Sequence, residues 1–195
     1  MIESRWITNL PNRLTMIRIG VVPIILLIYP LGFKPLNLFC GFLFVLASLT
    51  DFFDGYIARR YNAQSKFGQI IDPIADKLLS AAGLLVLVHA KQLPVILAGI
   101  LLSRDVAISG LRIIAAENRM SIPVSQTGKI KTVFQSAGLS LLIIHQPVFD
   151  LPIQQVGMIS IWVAVALSIY SAYYYIQNYW LSLSSLGKSD FGKSI

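Results

Sequence analysis

Asp51-Phe-Phe-Asp54-Gly55-Tyr-Ile-Ala58-Arg59 and, after eight further residues, Gly68-Gln-Ile-Ile-Asp72-Pro-Ile-Ala-Asp76 hold four of the nine acidic residues of this 195-residue chain. Asp51 and Asp54 are spaced i, i+3, and Asp72 and Asp76 i, i+4, so each pair shares one face of a helix. The polar turn from Arg59 to Lys66 is short, which predicts two antiparallel neighbouring helices with both pairs at one depth. All four carboxylates lie in or at the ends of apolar stretches, where an ionised group is costly. Four like charges brought together also repel one another and require cations. Hard oxygen ligands of this kind suit Mg²⁺ or Mn²⁺. Gly55, Ala58 and Gly68 share the faces of the aspartates, so a ligand can approach the backbone closely. Arg59 beside them is suited to a phosphate or to holding a ligating aspartate. The bland alternative is a set of buried ion pairs with Arg59, Lys77 or Arg104 that only packs the helices. Four acids at helical spacing among small residues weigh against it.

Working outward, six apolar stretches flank this motif: 14–31, 36–58, 69–90, 93–115, 129–148 and 151–178. Each approaches or exceeds the ~18–20 residues of a spanning helix. The chain is 55% hydrophobic and 13% charged, against about a quarter charged in soluble domains. Too few polar side chains remain to cover a water-exposed globule. The expected fold is therefore an all-α integral membrane bundle of six transmembrane helices. It would occupy residues 1–182, with a short interfacial segment at 1–11 and a disordered cytoplasmic tail over 183–195.

One set of connections carries Arg5, Arg13, Arg59, Arg60, Lys66, Arg119, Lys129, Lys131, Lys188 and Lys193. The opposite set carries only Lys34 and Lys91. This asymmetry puts both termini, and the aspartates, on the cytoplasmic side. The net charge of +7 is distributed over helix ends instead of forming one dense patch, which argues against a nucleic-acid partner. The lone Cys40 excludes a disulfide scaffold.

The aspartate stretch resembles the signature of the CDP-alcohol phosphotransferases at every fixed position and gap. Asn12, Thr15 and Arg18 resemble the N-terminal pattern of the branch of that family that uses glycerol 3-phosphate. So do Ser103-Arg104-Asp105 through Gly110-Leu-Arg112, and Ser125 through Gly128-Lys129-Ile-Lys131-Thr132 with Gln135.

The resemblance implies a six-helix bundle of the family type in the inner (cytoplasmic) membrane, its active site facing the cytoplasm. It implies a homodimer and two ions of Mg²⁺ or Mn²⁺, one held by Asp51, Asp54 and Asp72 and the other by Asp51, Asp72 and Asp76. Asp76 is then the catalytic base. Asn12, Thr15, Asp51, Asp54, Gly55, Ala58, Arg59 and Gly68 would bind the CDP moiety of CDP-diacylglycerol, held in membrane lipid. The acceptor would be sn-glycerol 3-phosphate, and the products phosphatidylglycerol phosphate and CMP.

An acceptor dianion needs cations, and Arg104, Arg112, Lys129 and Lys131 are the candidates. Each has a plainer reading: topology anchors for Lys129 and Lys131, snorkelling for Arg112, a structural pair with Asp105 for Arg104. The cluster Tyr173–Tyr175 with Tyr179 and Trp180 reads as an interfacial aromatic belt. Rival functions are another family member, such as a cardiolipin, phosphatidylinositol phosphate or phosphatidylserine synthase, an intramembrane prenyltransferase, or a divalent cation transporter. A prenyltransferase places its two acidic motifs farther apart, and a transporter needs acids at the midplane on broken helices.

Overall fold

The computed structural model describes residues 2–61, 66–117, 125–144 and 152–191, with side chains over 14–50, 68, 71–115, 117, 125–144 and 152–180. Six α-helices account for nearly all of the described residues: α1 (Ile2–Ile28), α2 (Lys34–Tyr61), α3 (Lys66–His89), α4 (Val95–Glu117), α5 (Gln126–Ile144) and α6 (Ile153–Phe191). No strand occurs among the described residues. The helices coincide with the six apolar stretches to within a few residues at most ends. Two ends differ more. α1 begins at Ile2 and takes the expected interfacial segment into the same helix. α6 runs on to Phe191, into the stretch whose Ser/Gly/Lys composition predicts disorder. Extending a formed helix adds one hydrogen bond per residue ordered, whereas starting a new one carries the cost of nucleation.

The turns follow local chemistry. Gly32 sits at φ 74°, in the left-handed region, and its N–H closes back on the Tyr29 carbonyl at 3.2 Å. A residue without Cβ adopts that conformation without strain. Pro73 lies inside α3. It has no N–H to donate, so α3 lacks the helical hydrogen bond to the Gln69 carbonyl, in the turn leading to Asp72 and Asp76. At the start of α5, Ser125 is the N-cap: the Gly128 N–H donates to its Oγ at 3.0 Å.

α5 packs most extensively against α6; α1 lies against α2 and α3, α2 against α5, and α4 against α6. The core joins Ile25 of α1, Cys40 and Phe44 of α2, Leu87 of α3, Leu97 and Leu101 of α4, Leu139 and Leu142 of α5, and Ile161 of α6. Gly138 brings α5 close to α6, since a Cβ there would stand 3.0 Å from the Gly157 carbonyl oxygen. Small residues at such crossings let helix backbones approach.

The outer surface is apolar on every helix. Ile17 and Leu27, Phe39 and Phe42, Ile74 and Leu85, Ile96 and Val106, Ile130 and Val133, and Ile159 and Trp162 are all exposed. Water-soluble monomers rarely expose contiguous apolar surface on this scale. By length and composition, Leu14–Leu31 and Ile153–Trp180 are each apolar enough to cross a membrane.

Candidate active site

Asp51 and Asp54 lie on the last turns of α2, and Asp72 and Asp76 on the early turns of α3. Asp54 is seven residues from the end of α2, and Asp72 six from the start of α3. At 1.5 Å per residue both stand roughly 10 Å from their helix ends, and α2 and α3 are in contact. The backbone therefore carries both pairs at matching depth. The side chains of Asn12, Asp51, Asp54, Gly55, Ala58 and Arg59 lie outside the described residues. Among the described residues no three His, Cys, Asp or Glu side chains gather. The two described aspartates supply hard carboxylate oxygens that fit Mg²⁺ or Mn²⁺.

Asp72 and Asp76 face different neighbours. The Thr15 hydroxyl, 1% exposed on α1, donates to Asp72 Oδ1. That bond tethers α1 to α3 and orients one carboxylate. Arg18, one turn on from Thr15, and Gly68 are buried as well. Asp76 opens instead onto a cavity of about 240 Å³. Its walls come from α3 (Asp76, Lys77, Ser80), α4 (Arg104, Asp105, Ser109, Arg112), α5 (Lys129, Lys131, Gln135) and α6 (Tyr175). The chain reverses direction between helices, so these segments share one end of the bundle. Arg104 and Arg112 of α4 and Lys129 and Lys131 of α5 meet here.

Five basic and two acidic side chains line the cavity, a balance that favours an anionic ligand. The cations are not equivalent. Lys131 is 1% exposed, and its Nζ donates to both Asp105 carboxylate oxygens at 2.6 and 2.7 Å. Arg104 donates through Nη1 to Asp105 at 3.2 Å and through Nη2 to Ser171 Oγ at 2.6 Å. Asp105 thus ties α4 to α5, and Arg104 ties α4 to α6. Arg112 and Lys129 are exposed and make no ion pair among the described residues. Gly128 leaves room for Arg104, whose Nη2 lies 3.6 Å from where a Cβ would be.

One wall residue escaped the reading of the sequence. Tyr175, assigned there to an aromatic belt, is buried, and its phenol oxygen accepts the Ser125 N–H at 3.1 Å. Its neighbours Tyr173 and Tyr174 are exposed. The signal was present: Ile161, Ala164, Val165, Ser168, Ser171 and Tyr175 recur at helical spacing and form the buried stripe of α6. The expected structural pair of Arg104 with Asp105 is present, and what the sequence did not indicate is that the same carboxylate also holds Lys131 of α5.

This pairing of acids with surplus cations at one end of a helical bundle agrees with a family model described as CDP-alcohol phosphatidyltransferase, which matches residues 8–170. The chain belongs to that family. Bacterial relatives named CDP-diacylglycerol–glycerol-3-phosphate 3-phosphatidyltransferase are similar over most of their length. The Rickettsia felis protein is 42% identical over 172 residues, covering 87% of this chain and 94% of its own. The Bacillus subtilis protein is 34% identical over 189 residues, covering 91% and 98%. The Yersinia pestis protein is 34% identical over 179 residues, covering 90% and 97%. In CDP-alcohol phosphatidyltransferase terms, the aspartate stretch spans α2 and α3, and the basic residues of α4 and α5 stand across the cavity from Asp76.

Proposed function

We propose that the chain transfers the phosphatidyl group from CDP-diacylglycerol to sn-glycerol 3-phosphate, giving phosphatidylglycerol phosphate and CMP. The observation that carries this reading is the cavity that joins Asp76 to a surplus of cations. Family membership and the names of the relatives support the same reaction.

The acceptor hydroxyl attacks the phosphorus that carries diacylglycerol, its proton passes to Asp76, and the bond to the bridging oxygen breaks to release CMP. Two Mg²⁺ or Mn²⁺ ions, when bound by Asp51, Asp54, Asp72 and Asp76, would neutralise the diphosphate and the leaving oxygen. The protein's own part is placement and charge complementarity, which dominate phosphoryl transfer. Thr15 orients Asp72, Asp76 faces the acceptor, and Arg112 and Lys129 meet the acceptor phosphate.

The test is incubation of purified protein with CDP-diacylglycerol, Mg²⁺ and a panel of soluble alcohols, with CMP and lipid product identified. Turnover of another alcohol with glycerol 3-phosphate ignored would refute the acceptor assignment.

The cations differ in what they are free to bind, and this gives a sharper expectation. Lys131 is already committed to Asp105, whereas Arg112 and Lys129 are exposed on the cavity wall. Arg112→Ala and Lys129→Ala each raise KM for glycerol 3-phosphate by roughly tenfold or more, since a hydrogen bond to a charged group contributes about 1.5–3 kcal/mol. KM for CDP-diacylglycerol stays within about twofold, because a contact made equally in ground and transition states affects only its own ligand. Unchanged KM for glycerol 3-phosphate in both variants makes them topology anchors.

All six helices are proposed to span the inner membrane, with the cavity open to the cytoplasm. The apolar exterior on every helix and the asymmetry of Lys and Arg support this. Reporters fused at residues 34 and 195 then report opposite sides of the membrane. Both on one side would exclude six spans.

A further inference from the structure

We propose that Gln135 is a specificity-determining residue whose carboxamide binds the secondary hydroxyl of the glycerol 3-phosphate acceptor. The proposal rests on the acceptor reading above and extends it to a group that reading leaves unbound.

Gln135 sits on α5 one turn beyond Lys131, is 2% exposed, and lines the cavity. Its Oε1 is buried and accepts no hydrogen bond among the described residues. A buried carbonyl oxygen left unpaired is costly, and proteins seldom leave one so without a reason. The other buried polar atom without a partner on this wall is Arg104 Nε. Among the described residues, Gln135 and Arg104 thus each bring to the wall a buried polar atom without a partner, an acceptor and a donor, beside the exposed cations.

The acceptor's polar groups can be assigned against that inventory. Its primary hydroxyl is the nucleophile and goes to Asp76. Its phosphate takes Arg112 and Lys129, with Arg104 Nε as a further donor. One polar group of the acceptor is left, the secondary hydroxyl, and one buried polar side chain of the wall is left, Gln135. A hydroxyl both donates and accepts, so it pairs with a carboxamide in either orientation. A cavity built to bond a hydroxyl rejects the analogue that lacks it, because the protein group is then buried unpaired.

The probe is 3-hydroxypropyl phosphate, which keeps the primary hydroxyl and the phosphate and lacks the secondary hydroxyl. The full-length enzyme in detergent is given CDP-diacylglycerol and either acceptor, and kcat/KM is compared. The wild type is expected to prefer glycerol 3-phosphate by roughly ten- to a hundredfold. Gln135→Met, unbranched like glutamine, brings the two acceptors to within about threefold, the loss falling on glycerol 3-phosphate. KM for CDP-diacylglycerol does not change. Gln135→Glu keeps an oxygen acceptor in place and retains the preference. Gln135→Leu repeats the test should the methionine variant fold poorly.

A wild type that uses both acceptors equally overturns the proposal by itself, without any variant. So does a Gln135→Met enzyme that loses the same factor on both acceptors and keeps the preference, which is the signature of a merely structural role. Failure of the wild type to use glycerol 3-phosphate at all overturns the acceptor reading, and this inference with it.

Discussion

Asp72→Asn and Asp76→Asn each reduce phosphatidyl transfer by about a thousandfold or more, the several kcal/mol that metal-assisted charge neutralisation supplies. The asparagine at position 72 is the informative choice. Its carboxamide oxygen still accepts from the Thr15 hydroxyl that holds α1 against α3, so the tether survives while the negative charge is lost. At position 76 asparagine keeps the shape and removes the base. Asp51→Ala and Asp54→Ala have effects of the same order, since they are proposed to share the ions. EDTA abolishes turnover, and added Mg²⁺ or Mn²⁺ restores it. Thermal unfolding in detergent separates loss of chemistry from loss of fold. Full activity in excess chelator, or an Asp72→Asn enzyme near wild-type rate, removes the metal reading.

A large effect on stability is expected at Asp105. Its carboxylate takes both oxygens' worth of hydrogen bonds from Lys131, whose side chain is 2% exposed, and a further one from Arg104. Asp105→Ala leaves a buried ammonium without its anion. Breaking one side of a buried pair costs about 3–5 kcal/mol. The unfolding midpoint in detergent should fall sharply, and the half-life of inactivation should shorten with it. The double variant Asp105→Ala/Lys131→Met removes both charges and keeps an unbranched apolar chain in the α5 position. It is expected to recover most of the loss, because the desolvation cost of the pair disappears with its attraction. A single Asp105→Ala variant as stable as the wild type shows that the pair does not hold α4 to α5. A double variant no better than the single shows that Asp105 has another role.

The aspartate motif was legible in the sequence because its geometry is local. Residues three and four apart on a helix share a face whatever surrounds them, so the pairs Asp51/Asp54 and Asp72/Asp76 followed from spacing. The six helices were legible for a related reason. Apolar stretches broken at Pro30, Gly32, Pro94 and Pro152 leave little choice of element, because a helix satisfies its own backbone polar groups without any partner. α1 and α6 still ran past the boundaries that composition indicated, since extending a formed helix avoids the cost of nucleating a new one.

What lies across the cavity was decided by the tertiary structure alone. Asp105 and Lys131 are 26 residues apart in sequence, Ser125 and Tyr175 50, Thr15 and Asp72 57, and Arg104 and Ser171 67. No local rule relates such positions. The Arg104–Asp105 pair is local and was anticipated from the sequence, but Lys131 was not separable from Arg112 and Lys129 until the packing of the helices brought it onto the same Asp105 carboxylate. That left Arg112 and Lys129 exposed on the wall. The same packing chose Tyr175 from three consecutive tyrosines, because only one of them falls on the stripe of α6 that faces α5. It also buried Gln135 without a partner for its oxygen among the described residues. The sequence by itself determined the helices and the spacing of the acids along them, through interactions within one or two turns. Which charges are paired and which remain for a ligand depends on the contacts between helices, and those exist only once the bundle has closed.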